Sequence, residues 1–73
     1  MRELIINALN KKYESQIAEA KAVITIYMEK SVGIGEHPQF AVEIDKQLEI
    51  IGCASDKLRV IEKHYPSDDD IPF

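Results

Sequence analysis

The sequence predicts an all-α protein: an antiparallel two-helix hairpin that dimerises into a four-helix bundle and carries a disordered acidic C-terminal tail. Three observations lead there. Two long segments place apolar residues at steps of three and four, the spacing of a single helical stripe. A short segment between them holds two of the three glycines and is followed by a proline. The last eight residues have no stripe, three adjacent aspartates and a proline next to the end.

The first helix is expected over residues 2–30. Ile6, Leu9, Tyr13, Ile17, Ala20, Ile24 and Tyr27 follow one another by three or four, and neither Gly nor Pro intervenes. Val23-Ile24-Thr25-Ile26-Tyr27 has the composition of a strand. The stripe runs through it in phase and no turn signal precedes it, so the helix is favoured. Lys30 suits the negative pole of the helix dipole. Residues 31–37 form the turn, where Gly33 and Gly35 permit the positive φ that ends a helix and reverses the chain. Pro38 then fits a first helical position, with Glu36 near the positive pole. Val32 and Ile34 are expected to fold over the end of the helix pair. The alternative reading makes Val32, Ile34 and His37 a contact patch for a partner.

The second helix is expected over residues 38–64, with Ala41, Ile44, Leu48, Ile51, Ala54, Leu58, Ile61 and Tyr65 as its stripe. Each helix would be about 40 Å long, and a short loop between matched helices gives an antiparallel hairpin. Gly52 interrupts the second helix at a cost of about 1 kcal/mol against Ala, and is expected to let the helices approach closely beside Ala54. Pro66 ends the helix. Residues 1–65 thus form one helical unit and residues 66–73 an extended, mobile tail.

Two helices cannot hide all the apolar surface this chain carries. A chain of 73 residues buries only about 60% of its unfolded surface, and a single core of that size is marginal. Its one cysteine cannot form an internal disulfide. Ile5, Val23, Ile26, Phe40, Val42, Ile50 and Val60 widen each stripe beyond what one neighbour covers. A homodimer that forms a four-helix, coiled-coil-like bundle is the economical solution.

Several function classes are excluded as expectations. The longest apolar run, residues 22–28, is interrupted by Thr25 and falls far short of a membrane span of about 20 residues. Leu4-Ile5-Ile6 is too short for the apolar region of a signal peptide, so a cytoplasmic protein is expected. All nine Lys and Arg and ten of the thirteen acidic side chains lie in residues 1–65, a net charge of −1, and residues 66–73 add −3. A near-neutral body without Trp is a poor binder of nucleic-acid backbone. His37 and His64 sit about 40 Å apart along one helix, and Cys53 has no neighbour placed to generate its thiolate. Glu43, Asp45 and Glu49 are interrupted by Lys46 and read as a solvated face. Gly33-Ile34-Gly35 lacks the further glycines of a phosphate loop. No catalytic residue, metal site or cofactor is expected, and no enzyme.

The terminus carries the one specific signal. Asp68-Asp69-Asp70-Ile71-Pro72-Phe73 resembles the C-terminal interaction motif of bacterial single-stranded DNA-binding proteins, which commonly end in the same six residues. The match covers all six final positions and stops there, since the body has no room for that family's β-barrel and no set of stacking aromatics. The resemblance implies partners among the replication, recombination and repair proteins that bind such tails. The residues themselves suit docking. Phe73 joins an aromatic ring to the α-carboxylate, Ile71 adds a second apolar knob, and Pro72 stiffens the spacing between them. A receptor would offer an apolar pocket, an Arg or Lys for the carboxylate and a basic rim for the aspartates.

The body has a resemblance of its own. Tyr27-Met28-Glu29-Lys30-Ser31-Val32-Gly33-Ile34-Gly35-Glu36-His37-Pro38, with Ile44-Asp45, Asp56-Lys57-Leu58 and Glu62-Lys63-His64-Tyr65, is similar to short helical proteins of tailed phages that infect marine bacteria. That resemblance carries no function to transfer; taken with it, the tail implies a phage protein in the host cytoplasm that borrows a host address to recruit or inhibit host DNA enzymes. The rival reading is a small structural or assembly protein whose tail only aids solubility.

Overall fold

The computed structural model describes residues 1–30 and 37–66. They form two helices, α1 (Arg2–Lys30) and α2 (His37–His64), and the described residues contain no strand. The helices lie antiparallel, with Tyr27 beside Phe40 at one end and Tyr13 beside Lys57 towards the other.

Local chemistry explains where each helix runs. The Ile5 amide donates to the Met1 carbonyl at 3.1 Å, so the ladder of α1 starts at the first residue. Glu3 in its first turn and Lys30 in its last complement the dipole. Residues 23–27 are helical despite their β-branched content. Thr25 Oγ1 donates to the Lys21 carbonyl at 3.0 Å, which gives that side chain a partner inside the helix. α2 begins at His37, one residue ahead of Pro38. It ends as the Tyr65 amide donates to the Ile61 carbonyl at 2.7 Å, and Pro66 has no amide to continue the ladder. Lys63 and His64 occupy its last turn. The expected turn residues Val32 and Ile34 and residues 67–73 of the expected tail lie outside the described residues.

The seam between the helices is narrow. Ala20 and Ala54 are 1% exposed and Ile61 9%; among the described residues no large side chain is fully buried. Small residues at the centre let the helices approach. Towards the turn, Tyr27 and Phe40 meet edge to face, their ring centroids 5.6 Å apart at 61°.

All seven stripe residues of α1 are buried or half-buried. The α2 stripe needs correcting. Leu48 is 54% exposed and Ala41 is also exposed, while Phe40 and Gln47 turn towards α1 in their place. The reason is the period. Positions 40, 47, 54 and 61, with 44, 51 and 58, repeat every seven residues, the 3.5-residue spacing that keeps two coiling helices in register. The path through 41 and 48 reaches 54 by two successive steps of three, one residue out of the heptad, so its first turns point off the seam. Tyr65 keeps its heptad position but is exposed at the open end of the hairpin.

Gly52 is a second correction. A Cβ placed there meets nothing within 4 Å, so Gly52 lies on the outer surface and brings no helices together. Gly52→Ala is therefore expected to raise stability by about 1 kcal/mol, seen as a higher urea midpoint with an unchanged slope. An unchanged or lower midpoint would contradict this outward placement.

Candidate interaction surface

The side chains that could do chemistry do not converge. Among the described residues, no group of three His, Cys, Asp or Glu could hold a metal ion. Two acidic residues of α2, Glu43 and Asp56, are engaged with neighbours one turn away. Lys46 Nζ donates to Glu43 Oε1 at 3.2 Å, and Arg59 donates to Asp56. Lys11 and Glu14 approach to 3.9 Å on α1. All three pairs are exposed and contribute little to stability. The hydrogen bond with Asp56, and then its charge, raise the Arg59 pKa above its ordinary value. Cys53 is a free, exposed thiol.

What the hairpin does offer is one apolar side. Successive helical residues turn by about 100°, which puts Ile5, Leu9, Val23 and Ile26 of α1 on the same flank of the hairpin as Ile50, Cys53 and Val60 of α2, with Glu43, Lys46 and Lys57 among them. Ile5, Ile26, Val42, Ile50 and Val60 are between 41% and 55% exposed. Three concavities open on this flank. One of about 580 Å³ lies near the open end between Leu9, Tyr13, Val60 and Tyr65, with Lys57 at its edge. The Lys57 ammonium sits 5.1 Å from the Tyr13 ring centroid, and Lys12 approaches the same ring at 5.9 Å. A second, of about 430 Å³, shares Cys53 with the first and is bordered by Gln16, Glu19, Glu49 and Ile50. A third, of about 510 Å³, lies between Tyr27, Phe40 and Val42.

The chain matches no protein-family model, no curated protein and no solved structure. No described helix is long and apolar enough to cross a membrane.

Of the residues singled out in the sequence, Asp68, Asp69, Asp70, Ile71, Pro72 and Phe73 lie outside the described residues, as do Val32 and Ile34. His37 opens α2, and His64 closes it 27 residues later. Of the apolar residues expected to widen the stripes, Phe40 instead joins the seam and Val23 is half-buried. The other five face solvent. Sequence reasoning missed that Lys12 and Lys57 both approach the Tyr13 ring on this side. Their meeting depends on the register between the helices, which local sequence signals do not specify.

Proposed function

We propose that this chain is a non-enzymatic interaction module. A helical hairpin, paired with a second copy, displays a tail that mimics the single-stranded DNA-binding protein tail and so recruits or inhibits host replication and repair proteins. The observation that carries the reading is the terminal Asp68-Asp69-Asp70-Ile71-Pro72-Phe73. An apolar anchor that bears the terminal carboxylate, preceded by three like charges, is a docking element. A tail that only solvates has no use for Ile-Pro-Phe at its end.

The body supports the reading by what it presents. Its concavities are open and mainly apolar, and its described carboxylates are spread along the helices rather than gathered. The test is a capture experiment from bacterial host lysate with the full chain and with residues 66–73 removed. Replication and repair proteins should be retained by the first and lost from the second. Identical captured sets would sink the tail reading.

The exposed apolar side favours a second reading, a structural or assembly protein whose helical faces do the work. That reading predicts partners that survive the truncation. Partners lost instead on Ile34→Ala or His37→Ala would point to the turn.

A further inference from the structure

The tail leaves the hairpin beside an apolar groove with a cationic edge. Tyr65, next to the last described residue, lines the concavity of about 580 Å³ together with Leu9, Tyr13, Lys57 and Val60. Val60 is 44% and Tyr65 51% exposed, so the walls of this groove stand open. The Lys12 and Lys57 ammonium groups lie 5.9 and 5.1 Å from the Tyr13 ring centroid. Neither lysine joins an ion pair with a described carboxylate. Asp56, the one carboxylate that lines the groove, accepts a hydrogen bond from Arg59. The charge of the hairpin is graded the same way. Residues 1–15 and 55–66, the open half, carry six basic and four acidic side chains, +2. Residues 16–30 and 37–54 carry three basic and five acidic, −2.

We propose that residues 67–73 of the same chain fold back onto this groove, with Ile71 and Phe73 between Leu9, Tyr13 and Val60 and the three aspartates at Lys12 and Lys57. Reach and charge select both the occupant and the site. Lys57 lies nine residues before Pro66, about 13 Å along the helix. Seven extended residues span about 23 Å, which leaves about 10 Å for the chain to reverse. The concavity beside Ile50 is about 24 Å from Pro66, at the limit of that reach. Glu19 and Glu49 border it and repel an acidic tail. The concavity between Tyr27, Phe40 and Val42 is about 36 Å away, out of reach. Only the groove at the open end combines access, apolar walls and unpaired cations.

The tether makes weak docking sufficient. A short linker holds its ligand at an effective concentration in the millimolar range, so a contact with a millimolar dissociation constant is already half occupied. Ile71 and Phe73 contribute apolar burial, and the aspartates add charge contacts screened by solvent. Docking withholds Ile71 and Phe73 from other proteins, so a receptor meets only the undocked fraction of tails. That consequence for a receptor rests on the tail reading above; the docking itself does not.

The experiment is nuclear magnetic resonance on the full chain labelled with nitrogen-15, with no receptor present. Phe73→Ser should shift the amide signals of Leu9, Tyr13, Lys57 and Val60 and leave those of Ala20 and Tyr27 in place. Backbone order parameters of residues 71–73 should fall by about half in Lys12→Glu combined with Lys57→Glu, because carboxylates then face the aspartates. Circular dichroism should give the same helix content for all three chains. Groove signals that ignore Phe73→Ser, or tail order that survives the double substitution, overturn the proposal. So does tail order that is lost on dilution from millimolar to tens of micromolar, which assigns the groove to the tail of a second copy. Since no receptor takes part, failure here leaves the tail reading standing, and failure of the tail reading leaves the docking standing.

Discussion

Ile61→Ala is expected to remove most of the helical signal at 37 °C. Ile61 is the largest of the buried hydrophobic residues, 9% exposed. Truncating such a side chain costs about 2–4 kcal/mol, from lost transfer energy plus the cavity left behind. A core this small supplies no more than about 3–5 kcal/mol in total, so one substitution consumes most of it. Leu48→Ala is the matched control. It removes the same amount of carbon, but from a side chain 54% exposed, and its expected effect is within about 0.5 kcal/mol. Circular dichroism at 222 nm across a urea series compares them. Protein concentration must be held constant, because pairing adds to stability by mass action. Equal losses for the two variants would contradict the heptad seam.

Those two residues also show what could be read from the sequence alone. The helix limits were legible because their punctuation is local: Gly33, Gly35, Pro38 and Pro66 act on the backbone whatever surrounds them. The α1 stripe was legible because its steps of three and four fit the straight and the coiled period equally well. In α2 both periods lead from Ala54 back to Gln47, and apolar character drew the reading to Leu48 instead. Gln47 faces α1 because of the heptad it occupies, not because of its chemistry. Gly52 was misread for a related reason, since a glycine marks a close approach only when it faces a neighbour. The apolar flank was visible as residues, but the meeting of Lys12 and Lys57 on the Tyr13 ring became definite only with the hairpin register. The tail was legible as a motif, and its residues lie outside those the structure describes.

Deleting Phe73 is the second large expected effect, a 10- to 100-fold loss of affinity for a protein that binds single-stranded DNA-binding protein tails. Burying a phenylalanine ring contributes about 2–3 kcal/mol, and interface energy concentrates in such aromatic anchors. The deletion also moves the terminal carboxylate onto Pro72, away from the position where Phe73 presents it. Two further variants separate ring from charge. Adding one glycine after Phe73 keeps the ring but displaces the carboxylate, at a cost of about 1.5–3 kcal/mol if that group accepts a charged hydrogen bond. Replacing Asp68, Asp69 and Asp70 with Asn should lower affinity only a few-fold and flatten its salt dependence, because these contacts are exposed and screened. Isothermal titration at two ionic strengths measures all four chains. Equal affinity with and without Phe73 would end the mimicry reading whatever the aspartates do.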